Sequence, residues 1–96
     1  KLNKNTSVRV AGIVTLRQRP GTANGVSFLS LEDETGTINI ICWNNIYNKF
    51  RKEILFAKLL LVDGLMQKEY GVINIIAQSI KDISHLLELL PKIDKY

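Results

Sequence analysis

Few residues in this 96-residue chain are of a type suited to bond-making chemistry, and their spacing does not assemble them. The single histidine, His85, lies far along the chain from the single cysteine, Cys42, so a thiolate–imidazole pair has no local support. One His and one Cys also make no zinc set. Glu32, Asp33 and Glu34 are consecutive, and a strand running into a turn scatters their side chains; Asp33 is expected to bond its own backbone. The stretch RPGTANG has glycines but neither the lysine–hydroxyl pair nor the strand-to-helix setting of a P-loop. No catalytic residue, metal ligand or cofactor is therefore assigned. What remains is binding chemistry, in which cations follow phosphates and aromatic rings stack on bases.

The candidates for such chemistry are positioned by short, regular elements. Residues 8–17, VRVAGIVTLR, are rich in β-branched types and read as strand one, with Gly12 permitting a sharp bend. RQRPGTANG is a loop between turn dipeptides. Strand two covers residues 26–32, a hairpin at Glu34-Thr35-Gly36 follows, and strand three covers residues 37–43. Asn44 is the expected N-cap of one short amphipathic helix over NNIYNKFRKEI, with Ile46, Phe50 and Ile54 on its inner face and Arg51 and Lys52 on its wet face. Strand four covers residues 59–67 around Gly64, Glu69-Tyr70-Gly71 turns the chain, and strand five covers residues 72–79. A short helix from about Asp82, stopped before Pro91, ends the chain.

Three strands in a meander, a helix and a two-strand hairpin predict an all-β, five-stranded Greek-key barrel of the oligonucleotide-binding (OB) kind, with its helix plugging one end. The rival is a small open sheet packed on two helices. Residues 1–7 are read as a flexible segment, 8–80 as the barrel and 81–96 as a C-terminal helix and tail. One domain is all this length supports.

Strand alternation then sorts side chains. If Leu29, Leu31, Ile38, Ile40 and Cys42 fill the barrel, Phe28, Ser30, Asn39, Ile41 and Trp43 face outward. On such a face Phe28 and Trp43 are stacking platforms, Asn39 meets base edges, and Arg17, Arg19 and Lys68 contact phosphates. Tyr70, at the tip of the last hairpin, closes over the strand. Each has a simpler alternative: Trp43 covers the helix, the arginines are solvated loop charges, and Tyr70 packs the hairpin.

Thirteen Lys and Arg against nine Asp and Glu give a formal charge of +4, a mild bias toward polyanions. The lone cysteine in an apolar run and the lack of any apolar stretch of membrane-spanning length suit a monomeric domain of the reducing cytoplasm that does not engage membranes. The chain starts at Lys1 rather than methionine, as expected of a piece of something longer.

With the loop, hairpin and glycines placed, VAGIVTLRQRPGTANGVSFLSLEDETG resembles the C-terminal OB domain of bacterial C-family DNA polymerases, of the replicative alpha-subunit type and most closely its error-prone, damage-tolerant branch. The resemblance runs from about Val8 to Leu86 and is most specific in RQRPGTA and FLSLEDETG. It implies binding of single-stranded template DNA, with Arg17 and Arg19 contributing, beside a nucleotidyltransferase site on an upstream palm that this piece lacks. Family members often carry another cation where this loop has Asn24. Phe28 and Asn39 also match the stacking and base-reading positions of class II aminoacyl-tRNA synthetase anticodon-binding domains, which leaves RNA binding as an alternative. Docking of a replication or repair subunit on Ile41, Trp43 and the C-terminal LLELL is another.

Overall fold

A computed structural model describes residues 6–19 and 25–89, the side chains of 88 and 89 excepted. Most of loop RQRPGTANG, including Asn24, and the end beyond residue 89, including Pro91, lie outside the described residues.

Five strands, β1 (Thr6–Gln18), β2 (Ser27–Asp33), β3 (Gly36–Cys42), β4 (Leu59–Glu69) and β5 (Val72–Asp82), close a barrel in the order β1-β2-β3-β5-β4. The open-sheet rival is thereby excluded. All neighbours are antiparallel except β3 and β5, which pair in parallel through Asn39–Asn74, Ile40–Ile75 and Ile41–Ile76. β1 serves two partners: its first half, Thr6 to Ile13, pairs with β4, and its second half, from Ile13, pairs with β2.

Gly12 and Gly64 make this coiling possible by close approach. A Cβ at Gly12 would stand 2.9 Å from the Glu32 carbonyl oxygen, and one at Gly64 would stand 2.2 Å from that of Ile76. Both flank the central Val10–Val62 pair of the β1·β4 ladder, Gly12 opposite Leu60 and Gly64 opposite Val8.

Inward positions follow the alternation read from sequence. Leu29, Leu31, Ile38, Ile40 and Cys42 are buried together with Leu60, Val62, Ile75, Ala77 and Ile80. Burial pushes the Cys42 thiol up to about 12, which leaves no thiolate for chemistry near neutral pH. In the β2–β3 hairpin Asp33 accepts hydrogen bonds from the Thr35 N–H (2.7 Å), the Thr35 hydroxyl (2.6 Å) and the Gly36 N–H (3.1 Å). Gly36 takes φ of 137°, the positive value the turn requires.

Three elements differ from expectation. The single helix is two, α1 (Asn44–Lys49) and α2 (Arg51–Phe56), broken at Phe50 with φ −114° and ψ 33°. The break lets Ile46 and Tyr47 on one piece, and Ile54 on the other, each turn to the barrel end, with Phe50 packed between them on the core. The N-cap is Trp43, extended at φ −69° and ψ 163°, and Asn44 is the first helical residue. The cap is made by backbone alone, the Trp43 carbonyl accepting from the N–H groups of Ile46 and Tyr47.

The chain end is the third. β5 continues to Asp82, three residues past its expected end, and the expected short helix follows as a 3₁₀ helix, Ser84–Leu89. Ser84 anchors the junction: its N–H donates to Asp82 Oδ1 (2.9 Å), and its Oγ accepts from the N–H groups of Lys58 (2.8 Å) and Leu59 (3.2 Å). These bonds tie the end of β5 to the start of β4.

Candidate nucleic-acid interface

The outward face of β2 and β3 is a groove. A cavity of about 290 Å³ is lined by Phe28, Ser30, Asn39 and Ile41 from these strands, Leu16 and Gln18 from β1, Asn74 from β5, and Leu29. Phe28 stands 37% exposed between inward-facing Ser27 and Leu29, so its ring edges the groove while its base packs on the barrel. Cross-strand pairing fixes the layout. Phe28 is opposite Ile41 on one side and Gln18 on the other, while Ser30 is opposite Asn39 and Leu16.

Asn39 and Asn74 form an amide pair across the parallel β3·β5 ladder, Asn39 Nδ2 donating to Asn74 Oδ1 at 3.2 Å. The contact orients both amides. It leaves the Asn39 oxygen and the Asn74 NH₂ as adjacent acceptor and donor. Asn74, Leu16 and Gln18 were not singled out from sequence. Asn74 alternates outward beside buried Ile75, but its position next to Asn39 follows from a parallel register between residues 35 apart.

Leu16 and Arg17 are exchanged by a bulge. Val14 pairs with Leu31 and Leu16 with Ser30, so β1 spends one more residue than β2 at Thr15. Uninterrupted alternation from Val14 would send Leu16 inward and Arg17 outward. The bulge instead puts Leu16 on the groove and sets Arg17 opposite buried Leu29. The Arg17 guanidinium turns to α2, Nε donating to the Ile54 carbonyl oxygen at 2.8 Å and Nη2 to that of Ala57. Those carbonyls belong to the last turn and C-cap of α2, where a cation also meets the negative end of the helix. Arg17 is thus a pin between β1 and the helical plug, although sequence had it beside Arg19 as a phosphate contact.

Arg19 leaves β1 along α1. Its guanidinium carbon lies 4.0 Å from the centroid of the Tyr47 ring, and Nη2 makes a long hydrogen bond, 3.4 Å, to Asn44 Oδ1. Gly25 returns the loop against the same asparagine with φ 67°; a Cβ there would stand 2.8 Å from Asn44 Oδ1.

The remaining candidates lie off the groove. Trp43 is 48% exposed at the junction of β3 and α1 and does not line it. Lys68 sits opposite Ile73, one pair from Asn74, and Tyr70 is at the tip of the β4–β5 hairpin; neither lines the cavity. Tyr70 and Gly71 both take positive φ, 52° and 81°, as a two-residue type I′ connection requires, and Tyr70 is 99% exposed. It does not pack the hairpin.

A closed five-stranded barrel with a helical plug between β3 and β4 and a polar–aromatic groove on β2 and β3 is an OB fold, and the chain belongs to the OB-fold nucleic acid binding domain family, whose model matches residues 8–83. It is 47% identical over 83 residues to Error-prone DNA polymerase 1 of Rhizobium meliloti (strain 1021), covering 86% of this chain and 7% of that protein. It is 53% identical over 79 residues to the error-prone DNA polymerase of Saccharophagus degradans, covering 82% of this chain and 8% of the relative. The chain thus spans less than a tenth of the length of these relatives. In fold it is similar to asparaginyl-tRNA synthetase from Pyrococcus horikoshii, with TM-score 0.68, 23% identity, and coverage of 83% of this chain and 20% of that one. It is also similar to the second OB-fold domain of replication protein A from Methanococcus maripaludis, with TM-score 0.60, 21% identity, and coverage of 83% and 86%.

Proposed function

We propose that this domain binds single-stranded DNA, as the template-strand module of a bacterial error-prone DNA polymerase acting in replication or damage-tolerant repair synthesis in the cytoplasm. The observation that carries the reading is the half-exposed Phe28 ring at the edge of a groove that also presents the Asn39–Asn74 amides. A ring so placed gives a base one face to stack on, worth about 1 to 3 kcal/mol. The amides offer hydrogen bonds to the base edge. Similarity to error-prone polymerases over most of the chain supports DNA as the strand and polymerisation by the parent chain as the setting. In this reading the domain's contribution is affinity for the strand.

Fluorescence titration with a labelled oligothymidylate tests it. Binding should weaken linearly in log–log form as salt rises, with a slope near 0.7 per phosphate neutralised. Phe28→Ala should reduce affinity by about 1 to 3 kcal/mol while leaving the urea midpoint close to that of the unaltered chain. A core phenylalanine would instead cost about 3 to 5 kcal/mol of stability. Absence of salt-dependent binding at millimolar protein would overturn the reading, and clear preference for the matching oligouridylate would move it to RNA.

A second reading rests on Phe56, 74% exposed at the end of α2 beside a cavity of about 290 Å³ shared with Lys52, Glu53 and Asp82. In this reading the ring would anchor another subunit of a replication or repair complex. Loss of that subunit's binding in Phe56→Ala, with oligonucleotide affinity unchanged, distinguishes it.

A further inference from the structure

The charge of the domain is unevenly placed. Residues 43–52, WNNIYNKFRK, carry Lys49, Arg51 and Lys52 and no acid, a charge of +3 against +4 for the whole chain. The fold adds Arg19 to this group. The guanidinium carbons of Arg19 and Arg51 lie 4.0 Å and 5.9 Å from the centroid of one ring, that of buried Tyr47, and Lys49 Nζ lies 5.5 Å from the ring of Phe50. Among the described residues none of these four cations has a carboxylate within ion-pair distance; the ion pair found there is Arg9–Asp63, on β1 and β4.

Like charges gathered over one ring repel one another, and an incoming anion relieves that repulsion. The cluster also adjoins the groove. Gln18 lines the groove opposite Phe28, and Arg19 is the next residue; Ile41 lines it from β3, and the chain reaches α1 three residues later.

From this we infer that Arg19 and Arg51, supported by Lys49, form a second phosphate-binding station, over which a single strand leaving the groove past Phe28 continues across α1. The inference rests on the groove reading above and extends it: Arg51, which sequence places on the wet face of a helix, contacts the backbone of the bound strand. The Tyr47 ring holds the Arg19 guanidinium in place, so that it is pre-ordered for a phosphate rather than recruited from solution.

The test uses this chain with oligothymidylates of about 4 and about 16 nucleotides, the range of site sizes for a single barrel. R51Q removes one charge from the station, and K81Q, on β5, removes one charge elsewhere. With the long strand, R51Q should lower the slope of log affinity against log salt by about 0.7, the value for one phosphate of a single strand. K81Q should leave that slope unchanged, and the short strand should not distinguish the two variants. Equal slopes for R51Q and K81Q with the long strand overturn the inference while leaving the groove reading intact, as does an equal loss for R51Q with both lengths. Failure of either strand to bind the unaltered chain overturns both. A polyglutamate peptide that competes better than the long strand, and loses this advantage in R51Q, would make the station a site for acidic protein and overturn it as a nucleic-acid contact.

Discussion

Residue identity alone does not assign a role to an arginine in this chain. Arg17 and Arg19 are two residues apart, equally basic, and used differently. Arg17 caps the carbonyls of Ile54 and Ala57 at the end of α2, and Arg19 stacks on Tyr47. Arg17→Ala leaves two helix-terminal carbonyls without their donor, which should cost about 1 to 3 kcal/mol. Urea denaturation followed by circular dichroism checks this, and an unchanged midpoint would show that solvent replaces the guanidinium fully. Arg17→Lys should recover only part of the loss, because an ammonium presents one point of attachment where the guanidinium fork presents two. Phe28 is the counter-example: its outward placement was legible from parity alone, because the strand around it is uninterrupted and its flanks, Ser27 and Leu29, are buried.

At the scale of elements, the hairpins and ladders set the response to pH and to added volume. Asp33 is held below the usual carboxylate range first by the Thr35 hydroxyl and then by the Thr35 N–H, Asp63 by Arg9, and Asp82 by Ser84. A carboxylate whose folded pKa lies below its unfolded value contributes stability that is complete above the unfolded value, near 4, and is lost as pH falls through the folded one. The domain should therefore lose stability below about pH 4, and Asp33→Asn should flatten that acid limb in thermal melts collected from neutral to acid pH. An acid limb of unchanged steepness would show the hairpin carboxylate to be uncoupled from folding. The β4–β5 ladder is the less forgiving element. Gly64→Ala drives a Cβ to 2.2 Å from a backbone oxygen that cannot rotate away, whereas Gly12→Ala meets its nearest oxygen at 2.9 Å. The first should cost about 3 kcal/mol, the upper end for overpacking, and the second less; chemical denaturation of the two variants side by side reads the order.

The strands themselves were readable because β2 and β3 keep a period of two and turn residues bound all five, and the five came out in the right order with ends misplaced by a few residues. The helical plug was read as one piece because Ile46, Phe50 and Ile54 fit a single helical face. The break at Phe50 comes from the shape of the barrel end and leaves no mark in that spacing.

For the whole molecule, the closed barrel makes Cys42 a reporter of global opening. It is fully buried within a continuous core, and its thiol is pushed up to about 12 by that burial. Alkylation near neutral pH should therefore track the unfolded fraction, rising with urea along the same transition as circular dichroism. Rapid alkylation without denaturant would mean that β3 opens locally.

Local residue order was enough to set the alternation of β2 and β3, hence the outward Phe28, Ser30, Asn39 and Ile41, and the turns that make five strands possible. These are local properties, set by side-chain parity and by residues suited to positive φ. Tertiary structure alone decided that a bulge at Thr15 would trade Leu16 for Arg17, that Asn74 would meet Asn39, and that Arg19 would join Arg51 over Tyr47. Each depends on register between segments distant in the chain, and register is selected by the closure of the barrel as a whole, to which no single strand's sequence refers.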